Sequence, residues 1–551
     1  MEYIPLNRQF EKSFRDNWNR AALSNYQGET YTYADLARKI RILHLVFEEC
    51  GLQKGDKVAI CSRNQANWGV CFLAALTYGA VPVPILHEFK PDSVQNLVNH
   101  SDAKVLFVGE SIWVGLDVAG MPELSLAVLV NSMECVYAKD QTVAEQYNRQ
   151  SDVFAELYPE GFKPEDIQWY EDQPDELALI NYTSGTSGFS KGVMIPYRAL
   201  LCNVAFAGTT AEPQMDCNSN MVAMLPSAHM YGMMFEFLFE MTIGAHVHFL
   251  NRAPSPKIIM KAFADVHPDT IIAVPLIIEK VYKSQIKPIA AQYSKLIRIP
   301  VVNQFIFKKI RKGLIEAFGG HFGEVILGGA AFNPEVEDFF RKIRFPFTVG
   351  YGMTECAPLI TYCKWNRTKK GACGKAITGC ELRIDSKNPY KIPGEIQVKG
   401  DNVFLGYYKN REATKTSFTN DGWFKTGDMG VIDQEGYLYL RGRSKCMILG
   451  PSGQNIYPEE LEAVINNVQY VVESLVIEDG GALTALIYPD YAQGGLDGLA
   501  PEDVEKRLTE GLPEINRMLP GYAQVKKIEF MAEDFERTPK RNIKRYLYQR
   551  N

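Results

Sequence analysis

From about residue 30 to residue 340, apolar residues recur at two different spacings. Segments with the period of an amphipathic helix alternate with short unbroken apolar runs such as Val58-Ala59-Ile60, Val105-Leu106-Phe107-Val108, Leu126-Ala127-Val128-Leu129-Val130, Ile271-Ile272-Ala273-Val274 and Val325-Ile326-Leu327. Strands alternating with helices predict α/β layers around largely parallel sheets. A charge-free apolar stretch from Trp68 to Leu86 is long enough to suggest a membrane span. Gly79, Pro82 and Pro84 interrupt it, however, and the run before it reads as a strand, so strand, helix and strand in a core is the expectation. After Thr378 the pattern changes. Glu381-Leu382-Arg383-Ile384, Gly394-Glu395-Ile396-Gln397-Val398 and Gly436-Tyr437-Leu438-Tyr439-Leu440 are short strands between glycine turns, which predicts a β-rich region over about 378–440. From Pro451 a loop, a helix from about Pro458, strands near 472–477 and 482–487, a charged helix from about Pro501 and a basic tail predict a separate small α+β domain.

With 551 residues the chain exceeds what one hydrophobic core usually supports, in keeping with more than one domain. A formal net charge of -6 supplies no basic field for nucleic acid. The first fourteen residues mix charges of both signs without an apolar core, so no secretory signal is expected and a cytoplasmic location is. An odd number of cysteines, eleven, suits free thiols in a reducing compartment. Cys356, Cys363, Cys373 and Cys380 are spaced too widely for the short pairs of a zinc site, and His246-Val247-His248 reads as a strand with two histidines on one face.

The densest chemistry follows the apolar run Leu177-Ala178-Leu179-Ile180. Tyr182-Thr183-Ser184-Gly185-Thr186-Ser187-Gly188-Phe189-Ser190-Lys191-Gly192 holds five Ser/Thr hydroxyls, three glycines and a lysine. Glycines let backbone N–H groups turn toward an anion, hydroxyls add donors, and lysine brings a mobile positive charge, so the segment predicts a phosphate cradle. It is not a Walker A loop, because Ser190 and Gly192 flank the lysine where that loop needs glycine and a hydroxyl residue.

Three further motifs follow in order: Tyr351-Gly352-Met353-Thr354-Glu355, Lys425-Thr426-Gly427-Asp428 and Arg441-Gly442-Arg443-Ser444-Lys445. Together with the cradle they resemble the acyl-adenylate-forming (AMP-binding) superfamily over nearly the whole chain, and among its branches the long-chain fatty acyl-CoA ligases. The segment Leu449-Gly450-Pro451-Ser452-Gly453-Gln454-Asn455-Ile456-Tyr457-Pro458 supports that branch.

The resemblance implies ATP, Mg2+ and CoA, with a carboxylic acid activated as an acyl-AMP and passed to a thiol. It implies that Thr183, Ser184, Gly185, Thr186, Ser187, Gly188 and Lys191 hold phosphates and that Glu355 holds Mg2+. Thr354 would meet the α-phosphate, Tyr351 and Gly352 the adenine side, Asp428 the ribose hydroxyls, and Arg443 ribose or phosphate. Gly328, Gly329 and Ala330 would form the wall between adenine and acyl group, and His229, Met230 and Tyr231 would border the acid. It also implies a 1–444 N-terminal domain, a mobile 445–551 lid hinged at Lys445, and a glycine loop at Gly453 that reaches the thiol tunnel.

The chain departs from the family at its C-terminal lysine. In Arg537-Thr538-Pro539-Lys540-Arg541-Asn542-Ile543-Lys544, the matching position holds Asn542, which carries no charge, so Lys540 or Lys544 is the expected substitute. Six of 17 methionines fall between Met221 and Met241, and this cluster fits either plain core or a cavity for a flexible alkyl chain. Partners expected are small molecules and no nucleic acid. Three alternatives stay open: an acyl carrier protein as acceptor, peripheral membrane contact through an apolar patch near Met233, and a non-catalytic lipid- or nucleotide-binding homologue.

Overall fold

A computed structural model describes residues 4–183, 190–211, 215–252, 255–288, 300–449, 455–521, 523–538 and 543–550. A five-stranded sheet runs in the order Val81–Pro84, Lys57–Cys61, Ala103–Val108, Leu126–Leu129 and Glu134–Ala138, parallel except for its last strand. Between its first two strands in sequence lies the helix Ala66–Tyr78, buried on nearly every side and ended by Gly79 in the left-handed region (φ 86°). The apolar stretch is therefore strand, helix and strand. Among the described residues no helix is long and apolar enough to cross a membrane.

A second sheet pairs Asn220–Ala223, His246–Phe249 and Ala21–Asn25 in parallel, and Thr30–Thr32 closes it antiparallel. His246 and His248 do share a face, their rings 3.9 Å apart, and each has a local partner: Ser24 Oγ at 2.6 Å and Asn220 Oδ1 at 3.3 Å. A third, parallel sheet joins Ile271–Ala273, Val325–Leu327 and Phe347–Val349. The expected α/β layering with parallel sheets is thus what the chain forms, because runs covered by helices on both faces have no solvent side to alternate toward.

The β-rich region is an antiparallel sheet of Cys380–Asp385, Gly394–Gly400, Phe424–Ile432 and Leu438–Arg443. Toward the C-terminus, Val471–Asp479, Ala482–Pro489 and Val525–Phe530 form a sheet packed by the helices Pro458–Ile465, Pro501–Glu510 and Leu512–Met518. The apolar residues of its core, among them Ile465, Ile487 and Leu508, all come from Ile448 onward. All eleven cysteines are free thiols.

The methionine cluster is largely core. All six methionines are buried, and Met233 is wholly so, which removes the exposed apolar patch expected around it. Flanking phenylalanines account for this: Phe237 packs edge-on against Trp68 and Phe72, drawing the Met230–Ile243 helical run into the main core.

Candidate active site

The phosphate-cradle motif sits on a hairpin. Leu177–Thr183 pairs antiparallel with Lys191–Pro196, and the register sets Thr183 opposite Lys191. Ser184, Gly185, Thr186, Ser187 and Gly188, which join those two residues, lie outside the described residues, as do Gly453 and Lys540. The short strand Gly406–Tyr407 adds to the hairpin's other edge, with Tyr407 opposite Val193. This pairing sets the Tyr407 ring 4.7 Å from Lys191 Nζ, and its hydroxyl donates to Glu355 Oε1 at 3.0 Å. Burial and the neighbouring carboxylate push the Tyr407 hydroxyl's pKa far above its ordinary value, so it stays a donor at neutral pH.

Glu355 and Thr354 are held by a tight turn. Tyr351–Gly352 pairs with Leu359–Tyr362, and Thr354–Cys356 forms a single 3-10 turn between them. Gly352 is required sterically: a Cβ there would lie 2.1 Å from the Pro358 carbonyl oxygen. Both Thr354 and Glu355 are buried. Tyr351 points the other way along the cleft, its hydroxyl donating to Asp428 Oδ2 at 2.8 Å. Asp428 and Arg443 face each other across adjacent strands, with Arg443 Nε 3.3 Å from Asp428 Oδ1. Burial raises the Asp428 carboxyl above its usual range against the opposing pull of Arg443. A continuous set of contacts therefore links Lys191, Tyr407 and Glu355 on one side of the turn to Tyr351, Asp428 and Arg443 on the other.

A cavity opens beside that turn, with about 940 Å3 of empty space when its open mouth is counted. It is lined by Tyr351, Gly352 and Thr354 from the turn, Gly328 and Gly329 from the loop after Val325–Leu327, and His229, Met230 and Tyr231 from the start of the Met230–Met233 helix. His229 caps that helix, accepting from the Tyr231 N–H at 3.3 Å, and the Tyr231 hydroxyl donates to the Ile326 carbonyl at 3.0 Å. Gly328 faces the Tyr231 ring so closely that a Cβ would sit 3.1 Å from it, and Gly329 takes φ 84°. Ala330 is exposed and does not line the cavity. Much of the remaining lining is apolar, including Phe206, Ala207, Met221, Phe235 and Phe239.

A family profile described as "AMP-binding enzyme" matches residues 10–408. The chain belongs to that family. Among relatives of this AMP-binding enzyme, the long-chain-fatty-acid–CoA ligase FadD15 of Mycobacterium bovis is 27% identical, covering 93% of this chain and 89% of its own length. The 4-coumarate:CoA ligase 1 of Petunia hybrida is also 27% identical, over 86% and 82%. ATP-bound MatB from Rhodopseudomonas palustris superposes with a TM-score of 0.77 at 23% identity, covering 99% of this chain and 98% of that one. The o-succinylbenzoate CoA synthetase MenE from Bacillus subtilis, in complex with its acyl-adenylate intermediate, superposes with a TM-score of 0.75 at 22% identity and the same coverage. The fold is that of adenylate-forming enzymes.

The cavity of this AMP-binding enzyme also holds two acidic residues that the sequence motifs did not flag. Glu324 accepts from the Tyr362 hydroxyl and from the Trp365 N–H at 3.2 Å, and burial raises its carboxyl. Glu240 lies fully inside the protein, one of its carboxyl oxygens has no hydrogen-bond partner among the described residues, and burial pushes it up to about 8. The only local signal was two acids, Glu236 and Glu240, four apart in the apolar run Met233-Met234-Phe235-Glu236-Phe237-Leu238-Phe239-Glu240-Met241. Tyr407 was missed because nothing near it in sequence relates it to Glu355 or Lys191. Of the two lysines expected to replace the family's C-terminal lysine, Lys544 is described. Its ammonium pairs with Glu536 at 3.1 Å, and among the described residues it makes no ion pair with the cleft.

Proposed function

We propose that this chain is an AMP-forming acid:thiol ligase whose acid is a long-chain fatty acid and whose thiol is CoA. The observation that carries this reading is that one cavity is lined both by Tyr351, Gly352 and Thr354 and by phenylalanines and methionines. A triphosphate held at the turn and an acyl chain lying against the apolar lining would share a boundary, where a carboxylate and an α-phosphate could meet.

In the first half-reaction a carboxylate oxygen attacks the α-phosphorus of ATP, the bond to the β-phosphate oxygen breaks, and pyrophosphate leaves with that electron pair. Both partners are negative, so the site has to offset charge before they approach. Lys191 and the hydroxyls of Thr183, Ser184, Thr186 and Ser187 would hold the outer phosphates, and Thr354 the α-phosphate. Asp428 suits the ribose: among the described residues each of its oxygens has one side-chain partner, and an acceptor-only carboxylate keeps a lone pair on each for a hydroxyl. Arg443, half-exposed beside it, would add a charged donor. Glu355 fits Mg2+, since it offers a hard oxygen ligand steadied by Tyr407. The ion, when bound, would supply further screening of phosphate charge.

In the second half-reaction the thiol sulfur attacks the acyl carbon, the bond to the AMP oxygen breaks, and the thiol proton is lost to solvent or to departing AMP. We assign 1–444 to a domain carrying the cleft and 445–551 to a lid turning at Lys445, with Gly453 near the thiol path. Lys540 or Lys544 would take the place of the lysine that Asn542 replaces. Breaking the Lys544–Glu536 pair then becomes part of the lid's movement into the adenylating pose.

The test is ATP–pyrophosphate exchange across a panel of carboxylic acids, with and without CoA. Exchange that peaks with long-chain acids, and acyl-CoA with AMP as products, is the expected result. Exchange with a carrier-bound phosphopantetheine as the sole productive acceptor would move the assignment to a carrier-loading ligase, and no exchange with any acid to a non-catalytic binding protein. Lys540→Ala and Lys544→Ala, made separately, are expected to leave one variant slowed at least tenfold in exchange; two unaffected variants would sink the substitution idea.

A further inference from the structure

The cavity has a direction, and two of its walls give it the same one. Side chains alternate along the strand Val325–Leu327, so Glu324, Ile326 and Gly328 fall on one face, and all three line the cavity. The neighbouring strand Ile271–Ala273 sets Ile272 beside Ile326 and, by the same register, Thr270 beside Glu324; both also line the cavity. Gly328 marks the end at the Thr354 turn, because the Gly350 N–H donates to the Leu327 carbonyl at 2.8 Å and Tyr351 follows. Glu324 stands four residues back along the strand, about 13 Å away.

The facing wall is the Met230–Ile243 helical run, which presents Tyr231, Phe235 and Phe239 at intervals of four. Glu236 of this run accepts from the N–H groups of Met224 and Leu225 at 3.2 and 2.9 Å, at one end of the strand Asn220–Ala223. The run leads into His246, whose N–H donates to the Ser219 carbonyl at 2.9 Å, at that strand's other end. Asn220 in turn donates its N–H to Asp269 Oδ2 at 2.8 Å and accepts from the Asp269 N–H at 3.0 Å, directly before Thr270. Phe239 and Glu240, eight and nine residues after Tyr231 and hence about 12 Å along the helix, therefore belong to the same far end as Thr270 and Glu324.

That far end is polar behind an apolar middle of Ile272, Ile326 and Phe235. Glu240, Thr270 and Glu324 all line it and all are buried. One Glu240 oxygen has no hydrogen-bond partner among the described residues. Glu324 accepts from the Tyr362 hydroxyl on one oxygen and the Trp365 N–H on the other, which leaves a lone pair on each. A plain alkyl end lodged among these groups would keep them from water and supply no partner in its place.

We propose that the acid bound here is an ω-hydroxy fatty acid of about twelve carbons, its terminal hydroxyl held among Glu240, Thr270 and Glu324. The length follows from the span, since an extended chain advances about 3.4 Å for every three bonds. A hydroxyl both donates and accepts, so it can serve Glu324 as donor and Glu240 in either sense. An ammonium would call for an ionised Glu240, whereas burial makes that carboxyl keep its proton up to about 8, and a second carboxylate would face two acids. The proposal narrows the ligase reading and rests on it for which end of the chain enters last.

The full-length protein is titrated calorimetrically with dodecanoic, ω-hydroxydodecanoic and ω-aminododecanoic acids, and the same acids are run in ATP–pyrophosphate exchange. The hydroxy acid is expected to bind about tenfold or more tighter than dodecanoic acid and to lead it by a similar factor in kcat/KM. Glu240→Leu is expected to bring that ratio to about one or below; should it fail to fold, Thr270→Val replaces it, with a fall of about threefold or more. The ratio compares two acids on one protein, so a general loss of activity does not move it. No preference in the parent protein, tighter binding of the amino acid, or a ratio unmoved in the folded variant would each overturn the proposal. Exchange with dodecanoic acid in any of those cases would leave the ligase reading standing. Tighter binding of the hydroxy acid with no exchange would support the polar end and sink the ligase reading instead.

Discussion

Tyr407 touches both a cation and an acid, and the two contacts differ in what they need. The cation–π contact with Lys191 requires only the ring face, whereas the bond to Glu355 requires the hydroxyl. Tyr407→Phe therefore keeps the first and deletes the second. A hydrogen bond to a charged group contributes about 1.5–3 kcal/mol, so kcat/KM for adenylation is expected to fall about 10- to 100-fold. If Tyr407 acts by positioning Glu355, the Mg2+ concentration for half-maximal rate rises in the same variant; an unchanged Mg2+ requirement would show that the hydroxyl only supports packing.

Glu240 gives a second residue-level consequence. Its carboxyl titrates near 8 in the folded protein, against about 4.3 in an unfolded chain. Between those values the folded state keeps a proton that the unfolded state has released. Stability is therefore full below about pH 4 and declines as pH rises toward 8, by at most about 1.4 kcal/mol per pH unit from this group. Glu240→Gln, which cannot ionise, is expected to show a shallower fall in urea midpoint between pH 5 and pH 8, with Glu236, also raised by burial, leaving a remainder of the slope. Parallel slopes in the two proteins would contradict the assignment.

At the level of elements, the turn that carries Thr354 and Glu355 depends on Gly352. Backbone approaches within 2.1 Å of the missing Cβ, and neither the Pro358 carbonyl nor the paired strand can swing aside as a flexible side chain could. Gly352→Ala is expected to cost about 3 kcal/mol in urea unfolding and to raise KM for ATP by moving Tyr351 off Asp428. A variant as stable as the parent would mean that the turn has freedom the geometry denies. The turn's own sequence announced a glycine but not why it was needed. The end of the helix 66–78 was legible, since its apolar run was interrupted by a glycine and prolines, whereas its start was not marked. By contrast, the Met221–Met241 segment was ambiguous because its composition suits a cavity and a core equally, and packing by Phe237 against Trp68 and Phe72 resolved it.

For the molecule as a whole, the proposed turning point is Lys445, exposed within the single 3-10 turn Ser444–Cys446 that follows the cleft strand Leu438–Arg443. Proline at 445 fixes φ and hinders a swing of the C-terminal part without touching the cleft. Lys445→Pro is expected to leave acyl-AMP formation within about threefold and to slow thioester formation at least tenfold, measured as separate half-reactions; equal loss in both would refute the hinge. The chain's sequence by itself determined the α/β layering, the order of the glycine-marked motifs and the choice of Tyr351, Thr354, Asp428 and Arg443 as polar groups to look for, because side-chain period, turn chemistry and hydrogen-bonding capacity are properties of short segments. Only the tertiary structure decided that Gly406–Tyr407 joins the edge of Lys191–Pro196 and that Glu240 loses its water. Strand-edge pairing and desolvation arise between segments far apart in the chain, where no local pattern can encode them.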